Sequence, residues 1–169
     1  MAGEPHQESD EVSIGAYAGP RRDLAWSFRE AEDSETRLEA YLELGQVWVA
    51  RDAADAVVGH LQAVPRADGS DAGLTWEVTN TAVVETARGR GIGRRLLERA
   101  VVEARRAGVA RLVLATGAAD VGNLRFYQRC GFRMTHIVPD AFVPANGYPD
   151  EIVVDGIPLL DQVWFARQL

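Results

Sequence analysis

The sequence predicts a mixed α/β fold, one twisted sheet with helices in a single domain. Three observations predict it. Short β-branched runs fill the first half and a β-α-β-α-β alternation fills the second, which is the pattern of a mixed sheet. The 169 residues suit one core, with 47% hydrophobic and 25% charged residues, ordinary values for a globular chain. The single Cys130 forms no internal disulfide, so that core must suffice unaided, and a reducing, cytoplasmic setting is expected.

The elements follow in order. Residues 1–11 are polar and acidic rather than a signal peptide, and read as a short disordered tail; 12–169 form the domain. Residues 12–18 are a first strand. Between 22 and 44, Leu24, Trp26 and Phe28, then Leu38, Tyr41 and Leu42, have helical spacing broken at Asp33-Ser34. Two short helices are expected there, with Ser34 as N-cap of the second and Gly45 as its stop. Residues 46–51 and 56–64 are apolar and β-branched around an Asp-rich turn, so they form a hairpin. Residues 65–73 are a loop and 74–84 a long strand rich in Thr and Val. Residues 91–107 place Ile92, Leu96, Leu97, Ala100, Val101 and Ala104 on one helical face, and Gly108 ends that helix. A buried-type strand at 111–116 precedes a helix at 120–129 capped by Asp120. A strand at 132–138 follows. Residues 139–158 hold four prolines and read as an irregular excursion before a last strand at 160–167. The sum is about seven strands with four helices, and the four tryptophans read as core.

Charge narrows the partners. A net charge of −7 argues against nucleic acid. No apolar run approaches the roughly 20 residues of a membrane span. His6, His60 and His136 are isolated, and no His/Cys/Asp cluster has metal-ligand spacing, so no metal is expected. One basic island stands out. From Arg88 to Arg111 there are eight arginines and two acids, Glu98 and Glu103. A local anionic ligand is expected.

The turn that opens this island is the most informative segment. A strand ending at Val83-Val84 runs into Arg88-Gly89-Arg90-Gly91-Ile92-Gly93-Arg94, and a helix begins at once. The first amides of a helix have no internal partner and carry the positive end of its dipole. With glycines for close approach and arginines for charge, they make a phosphate or pyrophosphate site. The order of glycines fits neither a P-loop nor a dinucleotide turn.

The segment Arg88-Gly-Arg-Gly91-Ile-Gly93 resembles the Arg/Gln-x-x-Gly-x-Gly/Ala signature of the GNAT superfamily of N-acetyltransferases. The segment Asn123-Leu-Arg-Phe-Tyr127-Gln-Arg-Cys-Gly131-Phe132 resembles that family's later motif. The resemblance spans roughly 12–169 and is sharp across 74–134. It implies acetyl-CoA as cosubstrate, its pyrophosphate on residues 88–94, and a strand end at Ala82, Val83 and Val84 splayed to offer a backbone amide, near Val83 or Val84, to the thioester carbonyl. One position departs from the family: the Asn usually found seven residues before the Tyr is Asp120 here, which reads as an N-cap. Asn123, one turn later, is the other candidate for that cofactor contact. Members are often dimeric, which makes a homodimer an option.

Acetyl transfer to an amine needs a polarised carbonyl, a neutral nucleophile and a proton for the departing thiolate. Tyr127 is the candidate acid, since a phenol stays protonated at neutral pH; an aromatic packed against the sheet is the alternative. Glu77 is the candidate base, eleven residues before Arg88, at the offset of the base in some protein-directed members. Strand alternation groups Glu77 with Thr79, Thr81 and Val83 on one face. A solvent-facing Glu, or one acting through water, is the alternative. Another short acyl-CoA as donor, or a non-catalytic CoA-binding or regulatory module, stays open. For the acceptor, a small-molecule or peptide amine, the acids of 139–169 (Asp140, Asp150, Glu151, Asp155, Asp161) suggest a carboxylate wall and a cationic amine.

Overall fold

The computed structural model describes residues 11–66 and 74–169; nearly all of the expected tail and most of the 65–73 loop lie outside the described residues. In chain order the elements are β1 (Ser13–Ala16), α1 (Ala25–Phe28), α2 (Glu35–Tyr41), β2 (Gln46–Arg51), β3 (Val57–Arg66) and β4 (Thr75–Val83). Then come α3 (Ile92–Arg106), β5 (Arg111–Gly117), α4 (Val121–Arg129), β6 (Arg133–Val138), β7 (Val153–Val154), β8 (Ile157–Pro158) and β9 (Gln162–Gln168). A seven-stranded sheet has the order β1-β2-β3-β4-β5-β9-β6. Only β4 and β5 pair in parallel; the other neighbours are antiparallel. The parallel join needs a crossover, and α3 supplies it.

Alternation along the strands builds two apolar layers. Trp48 and Ala50 of β2 face α3, whose Leu96, Leu97, Ala100, Val101 and Ala104 are fully buried. Val47 and Val49 face the other way, onto Phe28, Leu38 and Leu42. Truncating Leu96 or Leu97 to Ala should cost about 2–5 kcal/mol. Trp26 departs from the core expectation, being 45% exposed. The 139–158 excursion holds more order than its prolines suggest. A hairpin, β7 with β8, turns on Asp155 (φ 49°) and Gly156 (φ 81°). Asp-Gly is the residue pair such a turn requires.

Two features of β4 create the site. Gln62 pairs with Asn80 and Ala63 with Val78, so Thr79 is an inserted bulge residue. One extra residue reverses the alternation beyond it. Trp76, Val78 and Val83 therefore pack on the α3 side, whereas Glu77 and Asn80 share the α2 side. The expected grouping of Glu77 with Thr79, Thr81 and Val83 is thereby overturned. The second feature is a split. The β4–β5 register ends at Val78↔Leu114. Beyond it, β4 stays with β3 and β5 with β9, so a gap opens between them.

Candidate active site

The gap widens into a cleft of about 950 Å³ between the glycine turn, α4 and α2. On one side stands the turn. Gly89 (φ 77°) and Gly91 (φ 76°) are left-handed, and Gly91 is the N-cap of α3, with no side chain capping it. An added Cβ at either position would meet nothing within 4 Å, so conformation rather than space calls for glycine. The α3 amides thus open onto the cleft unscreened. Ile92, Gly93 and Arg94 line it with them.

The arginines divide by task. Arg88 Nε donates to the Val83 carbonyl at 3.0 Å, and its guanidinium lies 3.7 Å from Glu30, so it ties the turn to the end of β4. Arg95 donates to the Val12 carbonyl at 2.7 Å and serves the fold. Arg90 does not line the cleft; Arg94, Arg125 and Arg129 do. The last two went unnoticed in the sequence, although four-residue spacing on a helix puts them on one face.

Ala82 and Val83 line the gap. The Val84 amide is excluded as the carbonyl contact, because it donates to Val58 at 3.0 Å. Alternation then turns the Val83 amide away from β3 and into the gap.

Glu77 lines the cleft with a 26% exposed side chain. Burial pushes its pKa up, while Arg66, 3.5 Å away, and Arg37 oppose the rise. Asp120 and Asn123 both line the cleft too. Asp120 Oδ1 accepts the Asn123 amide at 2.8 Å, the N-cap bond expected of it, and Asn123 Nδ2 donates to Thr116 Oγ1 at 3.4 Å.

Tyr127 is not brought to the cleft wall. It is 6% exposed and packs among Phe126, Phe132 and Phe165, so that Phe126 and Cys130 line the cleft in front of it. Burial first, and then Asp120 and Cys130, push its pKa up.

The far side is built on a buried polar chain that no local pattern announces. Asn80 Nδ2 donates to the Phe28 carbonyl at 3.0 Å and to Tyr41 Oη at 2.8 Å. Its Oδ1 must then accept from His60 Nε2–H at 2.9 Å, a tautomer assigned from this network. His60 Nδ1 in turn accepts from Ser27 Oγ at 2.7 Å. Burial holds His60 neutral, with its pKa pushed down to about 4. Tyr41 Oη donates on to Glu32 Oε2 at 3.3 Å, and Ser34 N donates to Glu32 Oε1 at 3.0 Å. All donors of the side-chain series point one way, from Ser27 toward Glu32 in the cleft. The expected wall of C-terminal acids is absent. Asp140, Asp150, Glu151, Asp155 and Asp161 do not line the cleft, and Asp161 accepts the Asp140 amide at 3.0 Å instead. Phe142, Tyr148, Val154, Leu159 and Gln162 are the parts of that segment that reach it.

Among the described residues, no group of His, Cys, Asp and Glu is placed to hold a metal. No helix among them is long and apolar enough to cross a membrane.

The arrangement has relatives. Residues 18–132 match the acetyltransferase (GNAT) family. The chain is 31% identical over 136 residues to the uncharacterized N-acetyltransferase YvbK of Bacillus subtilis (strain 168), covering 79% of this chain and 81% of that one. An acetyltransferase of Bacillus subtilis in complex with CoA superposes with a TM-score of 0.82 at 27% identity, over 94% of this chain and 99% of that one. A GNAT family acetyltransferase from Elizabethkingia anophelis with acetyl-CoA bound gives 0.80 at 28% identity, over 95% and 99%.

Proposed function

The chain belongs to the GNAT family of acetyltransferases, and within it we propose that it moves an acetyl group from acetyl-CoA to a primary amine by direct attack. The observation that carries this is the split of β4 from β5, which opens between the unscreened α3 amides and a half-buried carboxylate. Solved relatives hold CoA or acetyl-CoA, so a thioester donor suits the basic side. The α3 amides with Arg94, Arg125 and Arg129 receive its pyrophosphate. The Val83 amide hydrogen-bonds the acetyl oxygen, where charge grows as the amine attacks.

Glu77 takes the proton from the incoming ammonium, directly or through a water. Its raised pKa brings it toward the range useful for a base. The amine nitrogen then bonds to the acetyl carbon, the carbon–sulfur bond breaks, and the proton the nitrogen must still lose passes to the departing thiolate. Tyr127 is the proposed donor to that sulfur, reached past Phe126 and Cys130. Its raised pKa keeps it protonated and makes it a weak acid, so a hydrogen bond to sulfur suits it better than full proton loss.

The test is release of free CoA thiol with a panel of amines, followed by mass analysis of the acetylated product. Amine-dependent thiol release with an N-acetyl product is expected. CoA binding without turnover on any amine would turn the reading toward a non-catalytic module.

A further inference from the structure

Among the cationic side chains lining the cleft, Arg88, Arg94, Arg125 and Arg129 gather on the turn and α4, and Arg37 stands apart on α2. Its setting is built. Nε lies 3.5 Å from Glu32 Oε2, and that carboxylate is itself only 9% exposed. The guanidinium carbon sits 5.6 Å over the Tyr148 ring. The terminal nitrogens take no partner among the described residues. Behind Glu32 runs the buried series from Ser27 through His60, Asn80 and Tyr41, which fixes the carboxylate that fixes the arginine. Burying polar side chains is costly unless each is bonded, and the buried Ser27, His60 and Asn80, like the partly buried Tyr41 and Glu32, all are.

A guanidinium ion-paired at Nε, lying over a ring and 51% exposed turns its terminal nitrogens outward as a planar two-pronged donor, the geometry that grips a carboxylate. Its neighbours limit what else the ligand carries. Glu30, Asp33 and Glu77 line the same side. Their negative potential repels a bare anion and attracts a molecule with a positive nitrogen. Phe142 and Tyr148, ring centroids 5.0 Å apart, add apolar surface beside Arg37.

We propose that Arg37 determines acceptor specificity by receiving a carboxylate on an amino-acid-like acceptor whose amine points to Glu77. The inference rests on the acetyl-transfer reading for which nitrogen reacts. It replaces the purely cationic acceptor that the charge of residues 139–169 suggests. Glu32 and the series behind it act as positioning residues for Arg37.

The test uses paired acceptors that differ by one carboxylate: phenylalanine with phenethylamine, and lysine with cadaverine. The wild-type protein should favour the acid of at least one pair in kcat/KM. In Arg37→Gln that preference should fall tenfold or more, mainly through KM. Arg37→Lys should recover only part of it, since a point charge lacks the fork. Preference of the wild type for both decarboxylated amines, or an equal loss on acid and amine in Arg37→Gln, would overturn the proposal. Calorimetry on CoA-loaded protein keeps the two readings apart. Acids that bind, bind tenfold more weakly to Arg37→Gln and yet release no thiol uphold the anion site and overturn amine transfer. Acids that do not bind at all overturn the anion site.

Discussion

At the scale of single residues, Glu77 faces opposing demands. A carboxyl whose folded pKa lies above its unfolded value holds its proton longer in the folded state, so ionising it above that range works against folding. Catalysis as a base needs the ionised form. Two outcomes follow for Glu77→Gln. Stability at neutral pH should stay level or rise, because the buried charge is gone, and a urea midpoint reads this directly. Meanwhile kcat/KM should drop about 10²-fold. In the wild type the acid limb of the kcat/KM profile should lie above the ordinary carboxylate range, given the raised pKa. A fully active Gln variant with the acid limb intact would remove Glu77 from the chemistry. Tyr127 meets a harder criterion, because it is packed as core. Tyr127→Phe keeps the ring and deletes only the hydroxyl. A fall in kcat of about 10²-fold at unchanged CoA affinity supports the donor role. Normal kcat, with chemistry shown to be rate-limiting, reduces Tyr127 to packing. The difference between these two candidates was not legible from the sequence. A motif fixes the residue type, whereas Tyr127 is enclosed by Phe132, just before β6, and by Phe165 of β9, whose approach is a tertiary matter.

At the scale of elements, the glycine turn and β4 show what local pattern carries. The turn was readable because left-handed backbone, an open helix start and nearby positive charge are all written in consecutive residues. Gly91 allows these terms to be separated. Gly91→Ala adds only strain at φ 76°, since its Cβ meets nothing within 4 Å. The left-handed penalty of about 1–2 kcal/mol corresponds to roughly 2–8 °C in Tm for a chain this size. Gly91→Glu adds a carboxylate where phosphate is expected, so its CoA affinity should fall at least tenfold below that of Gly91→Ala in calorimetry. Equal affinities in the two folded variants would place the pyrophosphate elsewhere. The bulge at Thr79 was not readable. Val78-Thr-Asn-Thr81 holds no glycine or proline to mark it, and the extra residue appears only when β3 sets the register. That single insertion decides that Glu77 shares a face with Asn80 and the Tyr41–Glu32–Arg37 group. The second strip of the cleft was therefore hidden, because its members are brought together from α1, α2, β3 and β4. The same holds for the C-terminal acids. Their charge was visible, but which residues of that segment reach the cleft is set by the fold, and Phe142, Tyr148 and Val154 do so in place of the acids.

At the scale of the whole molecule, the fold is two strand groups, β1–β4 and β5–β9–β6, joined through the four register pairs from Thr75↔Arg111 to Val78↔Leu114. The donor site straddles that join. The α3 amides and Arg94 belong to the crossover that follows β4, while Arg125 and Arg129 belong to α4, beyond β5. A ligand gripped by both should stiffen the molecule across its own split. Binding to the folded state alone contributes about 2.7 kcal/mol at a hundredfold excess over Kd. For a chain of this size that corresponds to a rise in Tm of roughly 5–10 °C. The rise should shrink between 0.1 M and 1 M salt, as the screening length falls from about 10 Å to 3 Å over exposed arginines. Pantetheine, which keeps the thiol arm and lacks the pyrophosphate, should give a far smaller shift with little salt dependence. Comparable shifts from pantetheine and CoA would mean that the thiol arm alone bridges the split. The basic turn and α4 would then be a charged surface beside the site rather than its anchor.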